Sequence, residues 1–350
     1  MVTGVQQVGI GVSDLTTSWK WYRKWLGFDV PIFDDVAEAK LMTKYTGGDV
    51  HSRRAVLALN MQGGGGFEIW QYMSRKPQPA NFSILPGDLG INVVKIKSPD
   101  VRRSYEIMKT EGHVAISEMV HSPDNSPTFY AKDENGNTFQ FVESAESWFN
   151  LRSGHCGGSC GVIIGVKDMN KALDFYQTLL GTSKIIYDQT GDWNGMFGAD
   201  NQQCRYRRVL LRKKYIPQGA FSELLGHIDI ELVQCTGREV KKIYAGRYWG
   251  DLGFIHLCLD VFDMEALKTK LASRGYNFTI DSANSFDMGE AAGRFTYAED
   301  PDGTLIEFVE THKVPVMKKL NLYFNLKNRK EDSPLPKWMV KFLALSRVKD

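Results

Sequence analysis

The chain repeats itself, and the repeat constrains its fold more tightly than any local propensity. Asp14, Tyr22, Leu26 and Gly27 return as Asp168, Tyr176, Leu180 and Gly181, each 154 residues later. Gly87-Asp88-Leu89-Gly90 returns as Gly250-Asp251-Leu252-Gly253, and Asp100 and Gly112 return as Asp263 and Gly275, all 163 residues later. Repetition on this scale marks one supersecondary unit used several times.

Each copy reads as strand, helix and about three strands. In the first, Val8, Ile10 and Val12 alternate onto one strand face. Ser13 or Asp14 caps a helix whose buried side carries Trp19, Tyr22 and Leu26, and Gly27 suits its left-handed end. Further strands are expected at 55–59 and 67–72, with the glycine run 63–66 as the turn between them. The third copy repeats this from Val162 to Gln234. The second and fourth close on the turns Asp133-Glu134-Asn135-Gly136 and Asp300-Pro301-Asp302-Gly303, each followed by a strand. Periodicity stops near 148–158, the expected domain boundary.

A chain of 350 residues, 43% hydrophobic and 24% charged, is long enough for two globular domains. Its net charge of +2 singles out no partner. Residues 313–350 nevertheless carry ten Lys/Arg against three Asp/Glu, leaving the rest mildly acidic. No secretory signal or bilayer-length apolar run is visible, and five cysteines do not form a disulfide framework. A cytoplasmic protein is expected. Trp19, Trp21, Tyr22 and Trp25 read as helix packing, not as a nucleic-acid platform. The glycines at 63–66 lack the Gly-Lys-Ser/Thr of a phosphate loop.

With these features the chain resembles the vicinal oxygen chelate superfamily, the glyoxalase/bleomycin-resistance/extradiol-dioxygenase fold. The resemblance lies in Val8–Gly27, Val162–Gly181, Gly253–Gly275 and Tyr297–Glu310, and covers nearly all of residues 4–312. It implies an α+β architecture of four βαβββ modules paired into two cups. In chain order these are an N-terminal domain, 1–148 (modules 4–73 and 87–146), and a C-terminal domain, 155–312 (modules 159–236 and 250–312). A basic extension, 313–350, follows.

Alternation places Ile255, Leu257, Leu259 and Val261 under the helix of the fourth module, with His256, Cys258 and Asp260 facing the cup. Ile306 and Phe308 then face the helix, and Leu305, Glu307 and Val309 the cup. In the third module Ile228, Ile230 and Leu232 face the helix, and His227, Asp229 and Glu231 the cup. A His and two Glu in one apolar cup suit a divalent cation. The resemblance implies the same ligands, Glu231, His256 and Glu307, with Glu231 or Glu307 as catalytic base. The fourth ligand position is Gly161, open for water or substrate unless His155 folds back to fill it. His227, Asp229, Cys258, Asp260 and Arg208 are expected around the substrate. Arg53-Arg54 and Arg207-Arg208 open strands, one of each pair pointing outward. The matching N-terminal positions, Gln7, Glu68, Val93 and Gln140, are expected to form a degenerate cup without metal.

What the resemblance implies is a metal-dependent isomerase, epimerase or lyase. It would act on a small oxygenated substrate through a metal-stabilised enediolate. A ring-cleaving dioxygenase is the alternative, against which Gly161 counts, because two histidines and one carboxylate would be needed. The rival from another class is a non-catalytic, resistance-type binder of a small ligand. A homodimer is compatible with either; nucleic acid and a membrane surface are not expected as partners. In the tail, Leu320, Tyr323, Phe324 and Leu326, then Trp338, Met339, Phe342 and Leu345, have roughly helical spacing and are expected to pack on the body or on another subunit.

Overall fold

A computed structural model describes all residues except 113–114, 152–153, 200–203, 284–285, 288–291, 318–321, 327–329, 331–332 and 350. Four modules follow one another. The first comprises β1 (Val2–Gly11), α1 (Leu15–Leu26), β2 (Val30–Glu38), β3 (Ser52–Leu59) and β4 (Gly66–Tyr72). The second is β5 (Gly90–Ser98), α2 (Val101–Thr110), β6 (Val120–His121), β7 (Pro127–Lys132) and β8 (Thr138–Glu143). The third is β9 (Ser159–Gly165), α3 (Met169–Leu180), β10 (Lys184–Gly191), β11 (Arg205–Lys213), α4 (Ser222–Leu225) and β12 (Ile228–Thr236). The fourth is β13 (Gly253–Val261), α5 (Met264–Ala272), β14 (Phe278–Asp281), β15 (Phe286–Asp287), β16 (Ala292–Glu299) and β17 (Leu305–Met317).

Local chemistry sets the module helices. Asp14 accepts from Thr17 N at 2.7 Å and caps α1, and Gly27 ends it with φ 68°. Asp168 caps α3 and Asp100 caps α2 in the same way. Trp19, Tyr22 and Leu26 are buried in the central core, together with Val8, Ile10 and Val12.

The modules partner differently from their order along the chain. One sheet runs β14-β16-β17-β13-β1-β4-β3-β2, joining the fourth module to the first; the other runs β10-β11-β12-β9-β5-β8-β7-β6, joining the third to the second. Both junctions are antiparallel, β1 on β13 and β5 on β9. Modules one and two, and modules three and four, are instead clasped helix to hairpin. Tyr22 of α1 donates to Asp133 at 2.6 Å, and Tyr176 of α3 donates to Asp300 at 2.9 Å. The two cups, A (modules one and four) and B (modules two and three), therefore each draw on both halves of the sequence.

Among the described residues of the tail, only 337–346 are helical. Residues 322–325 form β18 (Leu322–Asn325) against β17, and Leu320 lies outside the described residues. Helix α6 (Lys337–Lys341) and a following 3-10 turn bury Val340 against Val30, Leu59 and Leu224, with Leu343 packed alongside. Trp338, Phe342 and Leu345 stay exposed, so only one face of this segment packs on the body. No described helix is long and apolar enough to cross a membrane.

Candidate metal centre

Cup A gathers four polar side chains from four adjacent strands, in the order β17, β13, β1, β4: Glu307, His256, Gln7 and Glu68. His256 Nε2 lies 3.0 Å from Glu307 Oε2 and 3.5 Å from Glu68 Oε2. Gln7 Nε2 reaches Glu68 Oε2 at 3.4 Å and Glu307 Oε2 at 3.5 Å. Glu68, His256 and Glu307 each offer a ligand atom within 4.8 Å of the others.

The histidine sits in a cradle made by a missing side chain. Gly9 faces it across the β1–β13 junction, and a Cβ there would stand 2.4 Å from the imidazole Cε1. A register shift at Gly9/Ile10 turns both Ile255 and His256 toward the cup: Ile255 packs with Trp70, Trp249 and Tyr297, and Phe254 takes its expected place in the central core. The Trp249 ring lies nearly parallel to the imidazole, 9° between planes and 6.4 Å between centroids. Tyr297 Oη stands 3.3 Å from Nδ1.

The electrostatics ask for a cation. Burial, and next the Glu307 charge, push the Glu68 carboxyl up to about 7. Burial alone would lower the His256 imidazole, but Glu307 and Glu68 outweigh it and hold the group above its ordinary value. Gln7 Oε1 and His256 Nε2 are buried and make no well-formed hydrogen bond, although Nε2 is close to two carboxylates. One amide oxygen, one imidazole nitrogen and two crowded carboxylates fit a hard or borderline divalent cation, which would engage both orphaned atoms and relieve the repulsion.

Cup B answers the same problem with its own side chains. Glu231 on β12 is fully buried, accepting from Lys95 Nζ at 2.6 Å and Arg208 Nε at 2.6 Å. These two cations outweigh burial and hold its carboxyl down at about 2. Lys95 also donates to Gln140 at 2.7 Å, and Arg208 lies 4.4 Å from the Trp193 ring centroid. Asp229 accepts two bonds from Arg212, at 2.7 and 2.6 Å. Cys160, His227 and Asp229 also cluster within 4.8 Å. Arg212 already pairs with both oxygens of that carboxylate, however, and burial pushes the Cys160 thiol up to about 12, away from the thiolate a metal needs.

The expected ligand set is therefore rearranged. His256 and Glu307 meet, but Glu231 lies in the other sheet, where Lys95 and Arg208 pair with it. His227, Asp229 and Arg208 go with it to cup B. Cys258 and Asp260 line cup A: the Cys258 thiol is 3.5 Å from Gln6 Oε1, and Asp260 accepts from Thr3 and Gln6. Gly161 is no vacancy, since a Cβ there would fall 1.6 Å from the Asp229 carbonyl oxygen. His155 stacks on Phe141, away from both cups. The expected degenerate N-terminal cup does not exist as a unit: Gln7 and Glu68 complete cup A, while Val93 and Gln140 line cup B. Of each arginine pair, Arg53 and Arg208 face the cups, and Arg54 and Arg207 form exposed pairs with Asp34 and Asp188.

Gln7 and Glu68 are the candidate-site positions that the sequence reading assigns to a metal-free cup. At the cup-facing positions of its first and last strands the first module offers Gln7 and Glu68 while the fourth offers His256 and Glu307, and this complementarity of half-sets was the available signal.

Residues 152–308 match the family model described as the Glyoxalase/Bleomycin resistance protein/Dioxygenase superfamily. No curated protein matches the chain significantly. Among solved structures, a putative dioxygenase from Bacillus subtilis is similar with a TM-score of 0.57 at 14% identity, covering 88% of this chain and 85% of that one. Glyoxalase I from Zea mays is similar with a TM-score of 0.50 at 14% identity, over 88% and 92% of the two chains. A mutant form of the same maize enzyme gives 0.51 at 14%, over 88% and 93%. At this identity the likeness is one of fold.

Proposed function

We propose that the chain is a member of the glyoxalase/bleomycin resistance protein/dioxygenase superfamily, whose model matches residues 152–308, that cup A holds one divalent metal ion and that the protein is a metal-dependent enzyme. Gln7, Glu68, His256 and Glu307 would hold the ion. When bound, it supplies a Lewis acid for a substrate bearing two adjacent oxygens. The protein's own part is to orient that substrate and move a proton. Glu68 is the base in this reading: its side chain is 14% exposed, more than that of Glu307 or His256. A carboxylate oxygen there can take the proton from the carbon beside a carbonyl, the step shared by isomerases, epimerases and lyases of this kind; an isomerase returns it to the next carbon and an epimerase to the other face of the same carbon, whereas in a lyase the electron pair expels a leaving group. The aromatic lining of Trp70, Trp249 and Tyr297 excludes water. A ring-cleaving dioxygenase is the weaker reading, since one imidazole cannot give the two-histidine, one-carboxylate set.

The observation that carries the reading is the pair of orphaned atoms, Gln7 Oε1 and His256 Nε2, beside two crowded carboxylates. Protein purified without chelator should carry about one metal ion per chain. Glu68→Gln and His256→Ala should each lose it, and any turnover with it, while remaining folded. A chain that takes up no metal on reconstitution with zinc, nickel, manganese or ferrous ion sinks the proposal. Metal bound without turnover on any dicarbonyl, hydroxycarbonyl or catechol substrate points to the binding-protein alternative.

A further inference from the structure

Within cup A we infer that Tyr297 is a positioning residue that fixes which imidazole nitrogen of His256 faces the ion; this rests on the metal reading above. Tyr297 lies on β16 opposite Glu307 of β17 and is fully enclosed. Its hydroxyl is 3.3 Å from His256 Nδ1, and the two rings stand at 90° with centroids 5.5 Å apart. The phenol therefore meets the edge of the imidazole, not its face. Trp249 covers the face. Gly9 leaves room on the β1 side. With the ring held in this way, Nε2 alone points at Glu68 and Glu307. An Nδ1–H donating to the phenol oxygen fixes that tautomer and leaves the Nε2 lone pair for the ion.

Cup B supplies an internal control. Tyr130 stands opposite Gln140 as Tyr297 stands opposite Glu307. No histidine faces it, because Val93 takes that register position. Its hydroxyl accepts instead from Trp193 Nε1 at 3.0 Å and lies 3.4 Å from Gln140 Nε2. The same residue type at the same place thus serves the ligand in one cup and a tryptophan in the other.

The test uses the full chain, stripped of metal and titrated with zinc against a chromophoric chelator. Tyr297→Phe should weaken zinc binding about 10- to 100-fold, the usual consequence of removing a partner behind a metal-bound histidine. Tyr130→Phe removes an equally buried hydroxyl and should leave zinc affinity within about twofold. Unchanged affinity in Tyr297→Phe overturns the inference, and so does an equal loss in both variants, which marks a packing effect. Failure of the unaltered protein to bind zinc sinks the metal reading first and this inference with it. Should Tyr297→Phe not fold, nitrogen NMR of the zinc-loaded unaltered protein decides, with the His256 signals assigned by their loss in His256→Gln. A proton on Nδ1 and zinc on Nε2 is the expected state; zinc on Nδ1 overturns it.

Discussion

The two cups keep an equivalent glutamate and surround it in opposite ways. Glu68 of cup A and Glu231 of cup B are equivalent: Glu68 pairs in register with Gly9 on β1, and Glu231 with Ile163 on β9. Across each junction Gly9 faces His256, whereas Ile163 faces Val93. A glycine and a histidine make room for a ligand, and two aliphatic side chains close the same space. Lys95 stands opposite Gln140, where Cys258 stands opposite Glu307, and its ammonium reaches Glu231. Arg208 occupies the place of Ala55, two residues before the partner of the glutamate on the neighbouring strand. Cup B thus carries its counter-ions covalently. Cup A sets only the His256 imidazole between two carboxylates, and a buried charge short of a partner is expensive. That imbalance is what makes cup A the candidate site.

The largest test of this comparison cuts the chain. Removing residues 1–146 takes Gln7 and Glu68 from cup A and strips β13 of its β1 partner. The remainder should neither bind metal nor fold cooperatively, as read by metal analysis and circular dichroism. Residues 1–148 and 155–350 made together as two polypeptides should reassemble and recover about one ion per pair. A metal-loaded fragment 147–350 would break the account of how the cups are built.

The next test sets the two glutamates against each other. Glu231→Ala leaves Lys95 and Arg208 buried without their anion and should cost about 3–5 kcal/mol, the usual result of halving a buried ion pair. Its metal content should not change. Glu68→Ala should do the reverse: metal is lost, and the metal-free protein is no less stable, because one of two repelling carboxylates has gone. Urea unfolding of chelator-treated proteins measures both. A metal-free Glu68→Ala that is several kcal/mol less stable, beside an unaffected Glu231→Ala, would invert the comparison.

Much of this was legible in the sequence. The repeats mark the four modules, the Asp and Gly caps bound the helices, and alternation sends His256 and Glu307 to the cup. Partner choice was not legible, because a constant offset between copies shows that two segments are alike, not that they touch. Module one resembles module three yet shares its sheet with module four. Nor could alternation foresee the irregularity at Gly9/Ile10, which carries Ile255 to the site side. Lys95 was equally hidden: whether a long side chain ends in solvent or on a carboxylate 136 residues away depends on tertiary packing. The tail misled for another reason. Its apolar spacing is shared by 322–325, which became a strand because β17 offered an edge to pair with.

The smallest expected effect concerns what holds consecutive modules together, and it compares two clasps. Asp300 closes the turn of the fourth module, accepting from Asp302 N at 2.9 Å and Thr304 N at 2.8 Å as well as from Tyr176. Burial outweighs these bonds and raises its carboxyl from 3.8 to about 6. An acid raised on folding is held more tightly protonated in the folded chain than in the unfolded one. Its contribution to stability is therefore fully present below about pH 4 and is lost as pH rises through 6. Asp133, in the matching turn of the second module, is raised by burial in the same direction. Asp300→Asn keeps an amide oxygen for the backbone donors and removes the titration. Between pH 4 and pH 7 its stability, measured by urea unfolding, should fall less steeply than that of the unaltered chain, with the two curves converging toward the acid end. Asp133→Asn should act in the same sense. If Asp300→Asn instead loses stability uniformly across this range, Asp300 serves as an ionised hydrogen-bond acceptor, and the clasp is electrostatic where the present reading makes it a buried, proton-bearing contact.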